Sequence, residues 1–165
     1  MSDKLSEQDF FNALKDAILP DDEVIVMYGG IWSFAHNFGG EVRKIPDMML
    51  DIIEDVVGKE RTLLFAGFCA NHFVKHGEFD LTRTPPSESG ILAKYALKRK
   101  GYVRTYQPLH SFLVRGPRAQ EVLDLPCTSS WGEDSVLAWM GGVNARILAL
   151  GLPLHLACSY FHKIE

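Results

Sequence analysis

Apolar residues recur along this chain with two different periods. Phe10, Leu14, Ala17 and Ile18 fall at helical spacing behind Ser6 as N-cap and Asp9 at capping-box distance, and Pro20 stops the run, so a first helix is predicted. "EVIVMYGG" (23–30) is a β-branched burst closed by two glycines and reads as a buried strand. "IPDMMLDIIEDVVG" (45–58) carries Met48, Leu50, Ile52, Ile53, Val56 and Val57 on a broad helical face with Gly58 as C-cap. "RTLLFAGF" (61–68) is a second apolar strand. Cys69 to Ser89 is polar, long and proline-bearing, so it reads as a loop, and loops of that length often carry function.

The second half repeats the alternation. "ESGILAKYALKRKG" (88–101) is a predicted helix with acids first and bases last, the order that suits a helix dipole. "LHSFLVRG" (109–116) and "ARILALGL" (145–152) are strands, while "PRAQEVLDL" (117–125) and "EDSVLAWM" (133–140) are helices, the former with proline at its first position. The last residues are expected to begin a helix. Strands alternating with helices predict an α/β layered domain, with ligand-binding loops at the carboxyl edge of the sheet.

Composition narrows the class. The 165 residues suffice for one domain with a core, 47% of them are hydrophobic and 23% charged, so the chain is globular rather than disordered. A net charge of −4 supplies no basic field, which argues against nucleic acid as a partner. Cys69, Cys127 and Cys158 are odd in number and form no CxxC pair, so they read as free thiols in a reducing compartment. "MSDKLSEQDFF" has no apolar signal core and no run reaches membrane-spanning length; the expected location is cytoplasmic, with no membrane partner.

Four further stretches, in this order, carry a resemblance. They are "FDLTRTPPSESGIL" (79–92), "YVRTYQPLHSFLVRGPRA" (102–119), "WGEDSVLAWM" (131–140) and "SYFHKIE" (159–165). Together they resemble the aminoglycoside 3-N-acetyltransferase, or antibiotic acetyltransferase, family. The matching positions are Asp80, Pro86, Ser87 and Gly90; Arg104, Pro108, His110 and Ser111; Gly132, Glu133 and Ser135; and Ser159, His162 and Glu165. The resemblance implies a three-layer α/β/α sandwich distinct from the GNAT fold, occupying residues 1–165 as a single domain whose C-terminal part is missing. It also implies transfer of an acetyl group from acetyl-CoA to an amine of an aminoglycoside or amino sugar, with no metal. His162 would be the general base and Glu165 its orienter. That role fits the chemistry: an attacking amine must lose a proton, and a carboxylate on one ring nitrogen fixes the imidazole tautomer. Taken alone, such a pair three residues apart is usually a solvated surface contact.

The cofactor site implied by the resemblance comprises Gly29, Gly30, Ser87, Gly90, Arg104, His110 and Ser111. Ser87 to Gly90 would open a helix whose free N–H groups suit a phosphate, though an ordinary serine cap fits the same residues and Glu88 adds negative charge. Arg104 would pair with phosphate; an exposed arginine is the plainer reading, as a satisfied edge histidine is for His110. The first strand departs from the family. Where antibiotic-modifying members carry His-Ser-Ser-Leu, this chain reads "YGGIWSF" (28–34), so both hydroxyls are absent and backbone N–H groups are left to polarise the thioester. That style resembles members from surface-polysaccharide pathways. Family members also continue past the His-x-x-Glu motif, so a truncated chain is expected, and the alternative to the enzyme is an inactive remnant that at most binds CoA. Such a remnant would form a homodimer over its open sheet edge. Two narrower readings stay open: a zinc site from Cys69, His72 and His76 with Glu78, and Cys158 as a nucleophile beside His162.

Overall fold

The computed structural model describes residues 4–153 and Ala157. Among the described residues eleven α-helices and strands follow in order, with three short 3-10 turns between β1 and α2: α1 Glu7–Ala17, β1 Val24–Gly29, α2 Ile45–Val57, β2 Thr62–Ala66, α3 Ala70–His76, α4 Gly90–Ala96, β3 Val103–Arg104, β4 Phe112–Arg115, α5 Ala119–Leu123, α6 Val136–Gly142 and β5 Arg146–Leu150. The α1 capping box forms as its sequence requires: Ser6 Oγ accepts from Asp9 N at 3.1 Å and Asp9 Oδ2 accepts from Ser6 N at 2.8 Å.

The five strands form one sheet in the order β3-β4-β2-β1-β5. β1 pairs in parallel with β2 on one side and β5 on the other, whereas β4 runs antiparallel to β2 and β3 antiparallel to β4. Alternation along each strand feeds two cores. Ile25, Met27, Leu63, Phe65 and Leu113 face α1, α2 and α4, and Val24, Val26, Leu64, Phe112 and Val114 face α5 and α6. Both faces are therefore covered, which is why these strands read as unbroken apolar runs. The result is the expected three-layer α/β/α sandwich. On α2, Met49, Leu50 and Ile53 are fully buried, each contributing about 1.5–3 kcal/mol of transfer free energy.

Charges fix the register at the amino end of the sheet. Asp22 pairs with Arg146 at the start of β5, its Oδ2 also accepts from Leu19 N at 2.7 Å, and Arg61 Nε donates to its carbonyl at 2.8 Å. On the helical face Glu54 joins α2 to the strands: it accepts from Tyr102 Oη at 3.0 Å and pairs with Arg115 and, at 3.4 Å, with Arg99.

Two features differ from the sequence reading. The segment Cys69 to Ser89 is not loop throughout, because α3 occupies its start. No residue of α3 is buried, so it lacks the apolar period that marks a helix. β3 also went unread, since two residues cannot show alternation. No helix among the described residues is long and apolar enough to cross a membrane.

Candidate functional site

β1, β2 and β5 run parallel, so their carboxyl ends share one edge. There β1 finishes at Gly29, and a cleft of about 300 Å³ opens between Tyr28–Gly30, Ala66 and Phe68 beyond β2, Glu88–Gly90, and Leu152. Three sequence-predicted positions, Gly29, Gly30 and Gly90, meet in this one place.

Close packing dictates Gly90 and disfavours side chains at the other two. Gly90 has φ +80°, and a Cβ there would lie 2.1 Å from the Gly29 carbonyl oxygen. A side chain at Gly29 would press on Leu92 Cδ1 at 3.2 Å, and one at Gly30 would collide with Leu152 Cδ2 at 2.2 Å. Side-chain-free backbone thus lines one wall of the cleft.

The loops facing that wall are zipped together. Phe68 N donates to Ser89 Oγ at 2.6 Å, and Glu88 N donates back to the Phe68 carbonyl at 3.2 Å. The Glu88 carboxylate turns to α3 and accepts from Asn71 N at 2.7 Å. It serves a helix whose N-cap, Cys69, supplies no side-chain bond. Ser87 is exposed, with its hydroxyl 3.5 Å from Glu88 Oε1. α4 starts at Gly90, not Glu88, and the Ser89 side chain makes no capping bond to it.

Arg104 and Ser111 do not line the cleft, and Arg104 is buried where the plainer reading expected an exposed arginine. Arg104 is 5% exposed and Ser111 fully buried. The guanidinium donates from Nε to Ser111 Oγ at 3.0 Å, from Nη1 to the Thr84 carbonyl at 2.5 Å and from Nη2 to the Gly67 carbonyl at 2.6 Å, and lies 4.8 Å above the Phe79 ring. Ser111 Oγ donates to the same Gly67 oxygen at 2.6 Å. Burial lowers the Arg104 pKa, offset by the neighbouring Cys69 and then Asp80; a guanidinium stays charged regardless. With its fork occupied by these acceptors it offers no donor pair to a phosphate. His110 is half-buried, its ring 4.8 Å from that of Phe68 and 4.5 Å from that of Trp131. It backs the cleft wall through Phe68.

The zinc reading fails on geometry. Cys69 Sγ is buried against the Pro108 carbonyl at 2.8 Å, and burial pushes its thiol pKa up, away from the thiolate a metal needs. His72 and His76 stack on each other instead, and no group of three or more His, Cys, Asp or Glu among the described residues is placed to hold a metal ion. A larger hollow of about 400 Å³ lies by His72, Asp80 and Arg83. Its carboxylate is already committed: Asp80 Oδ1 accepts from Thr82 N, Thr82 Oγ1 and Arg83 N, and Oδ2 from Arg83 Nε. His162 and Glu165, like Cys158 and Ser159, lie outside the described residues. Phe68 and Leu152 were not singled out from sequence, and Ser89 only as one of the residues expected to open a helix. The usable signal was the Phe68 amide: just past a strand end, it needs an acceptor from a neighbouring loop.

A mixed α/β sandwich with a glycine-walled cleft at the carboxyl end of an interior parallel strand defines the class as an α/β domain with a cleft at its sheet edge. The family model described as aminoglycoside 3-N-acetyltransferase matches residues 34–165, and the chain belongs to that family. Aminoglycoside N(3)-acetyltransferase VIII of Streptomyces fradiae is 28% identical over 131 residues, covering 66% of this chain and 44% of that protein. The chain thus spans less than half the length of this curated relative. Among solved structures, the YokD protein from Bacillus subtilis superposes with a TM-score of 0.80 at 17% identity, over 96% of this chain and 69% of that one. AAC-IIIb, solved in a binary complex with CoASH, gives 0.77 at 22%, over 96% and 63%.

Two outcomes follow from this geometry. Gly90→Ala combines the 2.1 Å clash with a left-handed φ and is expected to lose about 1–3 kcal/mol or more in urea unfolding. Gly142→Ala, with open space around its Cβ position, stays within about 1 kcal/mol of the parent. Hydrogen bonds from the Thr82 side chain and backbone and then from Arg83 hold the Asp80 carboxyl well below its ordinary range. A depressed folded pKa adds stability above the unfolded value, near 3.8, and that stability fades as pH falls below it. Asp80→Asn is therefore less stable than the parent at neutral pH, and the gap in denaturant midpoint narrows below about pH 4; an unchanged gap at acid pH excludes this source.

Proposed function

We propose that this chain is the acetyl-CoA-binding part of an N-acetyltransferase that acylates an amine on an aminoglycoside or amino sugar. Membership of the family carries the reading, and the convergence of Gly29, Gly30 and Gly90 on one cleft supports it. The cleft lies at the small end of the range for small-molecule pockets, room enough for the thioester end of CoA and not for its nucleotide. Its wall of backbone lets a thioester approach without side-chain interference. Phe68 and Tyr28, whose rings lie 6.2 Å apart, supply apolar surface in the same cleft.

The roles assigned to His162 and Glu165 complete the reaction. The imidazole takes the proton of the attacking amine, and the carboxylate orients the imidazole. Arg104 and Ser111 hold the cleft floor, and His110 buttresses Phe68. An amino sugar from a surface-polysaccharide pathway is the acceptor class favoured by "YGGIWSF", because that segment lacks the serines of the antibiotic-modifying members. A second copy of the chain is the remaining partner. β5 is an edge strand, its apolar residues are only half-buried, and among the described residues it pairs on one side alone.

Titration calorimetry with acetyl-CoA tests the core of this reading, with CoA and ATP as comparisons. Saturable heat that prefers acetyl-CoA is expected. His162→Ala should preserve binding while cutting acetyl transfer by about 10²-fold or more. A folded, monodisperse sample giving no heat leaves the inactive-remnant alternative. Light scattering should return the mass of a dimer, and a monomer at micromolar concentration removes the edge-pairing proposal.

A further inference from the structure

We infer that the Ser89 hydroxyl donates a hydrogen bond to the reacting carbonyl in the cleft, and that the buried Arg104 guanidinium strengthens this donor through a single peptide group. The inference rests on the acetyltransferase reading above.

The Gly67–Phe68 peptide stands between the two residues. Its carbonyl oxygen accepts from Arg104 Nη2 and from Ser111 Oγ, each at 2.6 Å. Its N–H donates to Ser89 Oγ at 2.6 Å. A cation on the carbonyl side draws electron density out of the peptide and makes its N–H a stronger donor. That N–H in turn draws density from the serine oxygen, and the hydroxyl proton becomes a stronger donor as well. Arg104 is 5% exposed, so water screens little of its field over this path. Ser89 Oγ uses a lone pair on Phe68, which leaves its own proton available. The residue lines the cleft beside Gly29, Gly30 and Gly90.

In the transfer step the amine lone pair forms a C–N bond at the thioester carbon while the carbonyl π pair moves onto oxygen. Ser89 donates to that oxygen and is itself unchanged. The pair on oxygen then returns as the C–S bond breaks, and CoA leaves as a thiolate. The amine proton passes to the base, assigned above to His162, and from it to the thiolate. A donor aimed where the negative charge develops is the kind that accelerates acyl transfer. It lines the same cleft as the segment "YGG", which lacks the family's serines.

Steady-state kinetics and isotope-edited infrared spectra of the bound thioester carbonyl test the assignment on the full chain. Ser89→Ala is expected to lower kcat by about 10²-fold with KM for acetyl-CoA changed by no more than about twofold. The carbonyl stretch, lowered on binding to the parent, should return toward its free position in this variant. Ser89→Thr, which keeps a hydroxyl, restores both readouts. Should the alanine variant fold poorly, Ser89→Cys keeps the volume with a weaker donor and falls in between. Arg104→Lys should slow the parent but add little to Ser89→Ala, a coupling that a purely structural arginine does not produce. A carbonyl stretch and a kcat unaffected by Ser89→Ala overturn the assignment while leaving the acetyltransferase reading intact. Failure of the parent to bind acetyl-CoA removes both.

Discussion

A guanidinium withdrawn from water must find its solvation inside the protein, and the way Arg104 finds it organises the functional end of this fold. Its acceptors are the Thr84 carbonyl, the Gly67 carbonyl and the Ser111 hydroxyl, with Phe79 packed against its face. These groups come from the long segment before α4, the exit of β2 and the entry to β4. Arg104 itself sits on β3, the shortest strand. One side chain thereby fastens irregular backbone to the sheet where periodic hydrogen bonding has run out. Unpaired carbonyls buried at such a place cost free energy, and a planar fork satisfies several of them from separate nitrogens, whereas a lysine's three donors issue from one point.

The cleft depends on that fastening and on β1, an interior strand of the sheet. β1 is buried on both faces and paired on both sides, so its carboxyl end is placed by the whole sandwich. The loops opposite it have no such support. They hold position because Phe68, one residue beyond the carbonyl that Arg104 grips, bonds to both Ser89 and Glu88. Rigidity passes from the sheet through Arg104 to Phe68 and then to Glu88–Gly90. Functional geometry in loops needs this kind of support, because catalytic placement tolerates only about 0.5 Å.

Most elements were legible in the sequence because each buries a periodic face. Phe10 and Leu14, or Met49, Leu50 and Ile53, announce their helices by the side they hide. α3 hides nothing and was invisible for that reason, although Gly77 follows it directly. Glu88 looked like an obstacle to anion binding while its neighbours along the chain were the only context. Its partner, the Asn71 amide, is seventeen residues away. The burial of Arg104 was hidden for the same cause: residue type carries its charge, but burial is set by tertiary neighbours. The glycines at 29, 30 and 90 were found, yet the reason for them, mutual contact and the side chains of Leu92 and Leu152, could not be read from spacing.

Those contacts also explain why a hydroxyl belongs on Ser89 and not on β1. Strand alternation sends Tyr28 to the α5/α6 face, where its ring meets Phe68. At Gly29 any side chain points at Leu92, which is fully buried, and a serine hydroxyl there would be driven into the apolar core without a partner. At Gly30 the space is filled by Leu152. A side chain at either position therefore requires these two leucines to shift. The facing loop is free of that constraint, since Ser89 needs only an N–H to fix its oxygen, and Phe68 supplies one. A hydroxyl on Ser89 leaves the apolar packing around β1 intact and sits on a loop wired to a buried positive charge through the Gly67–Phe68 peptide.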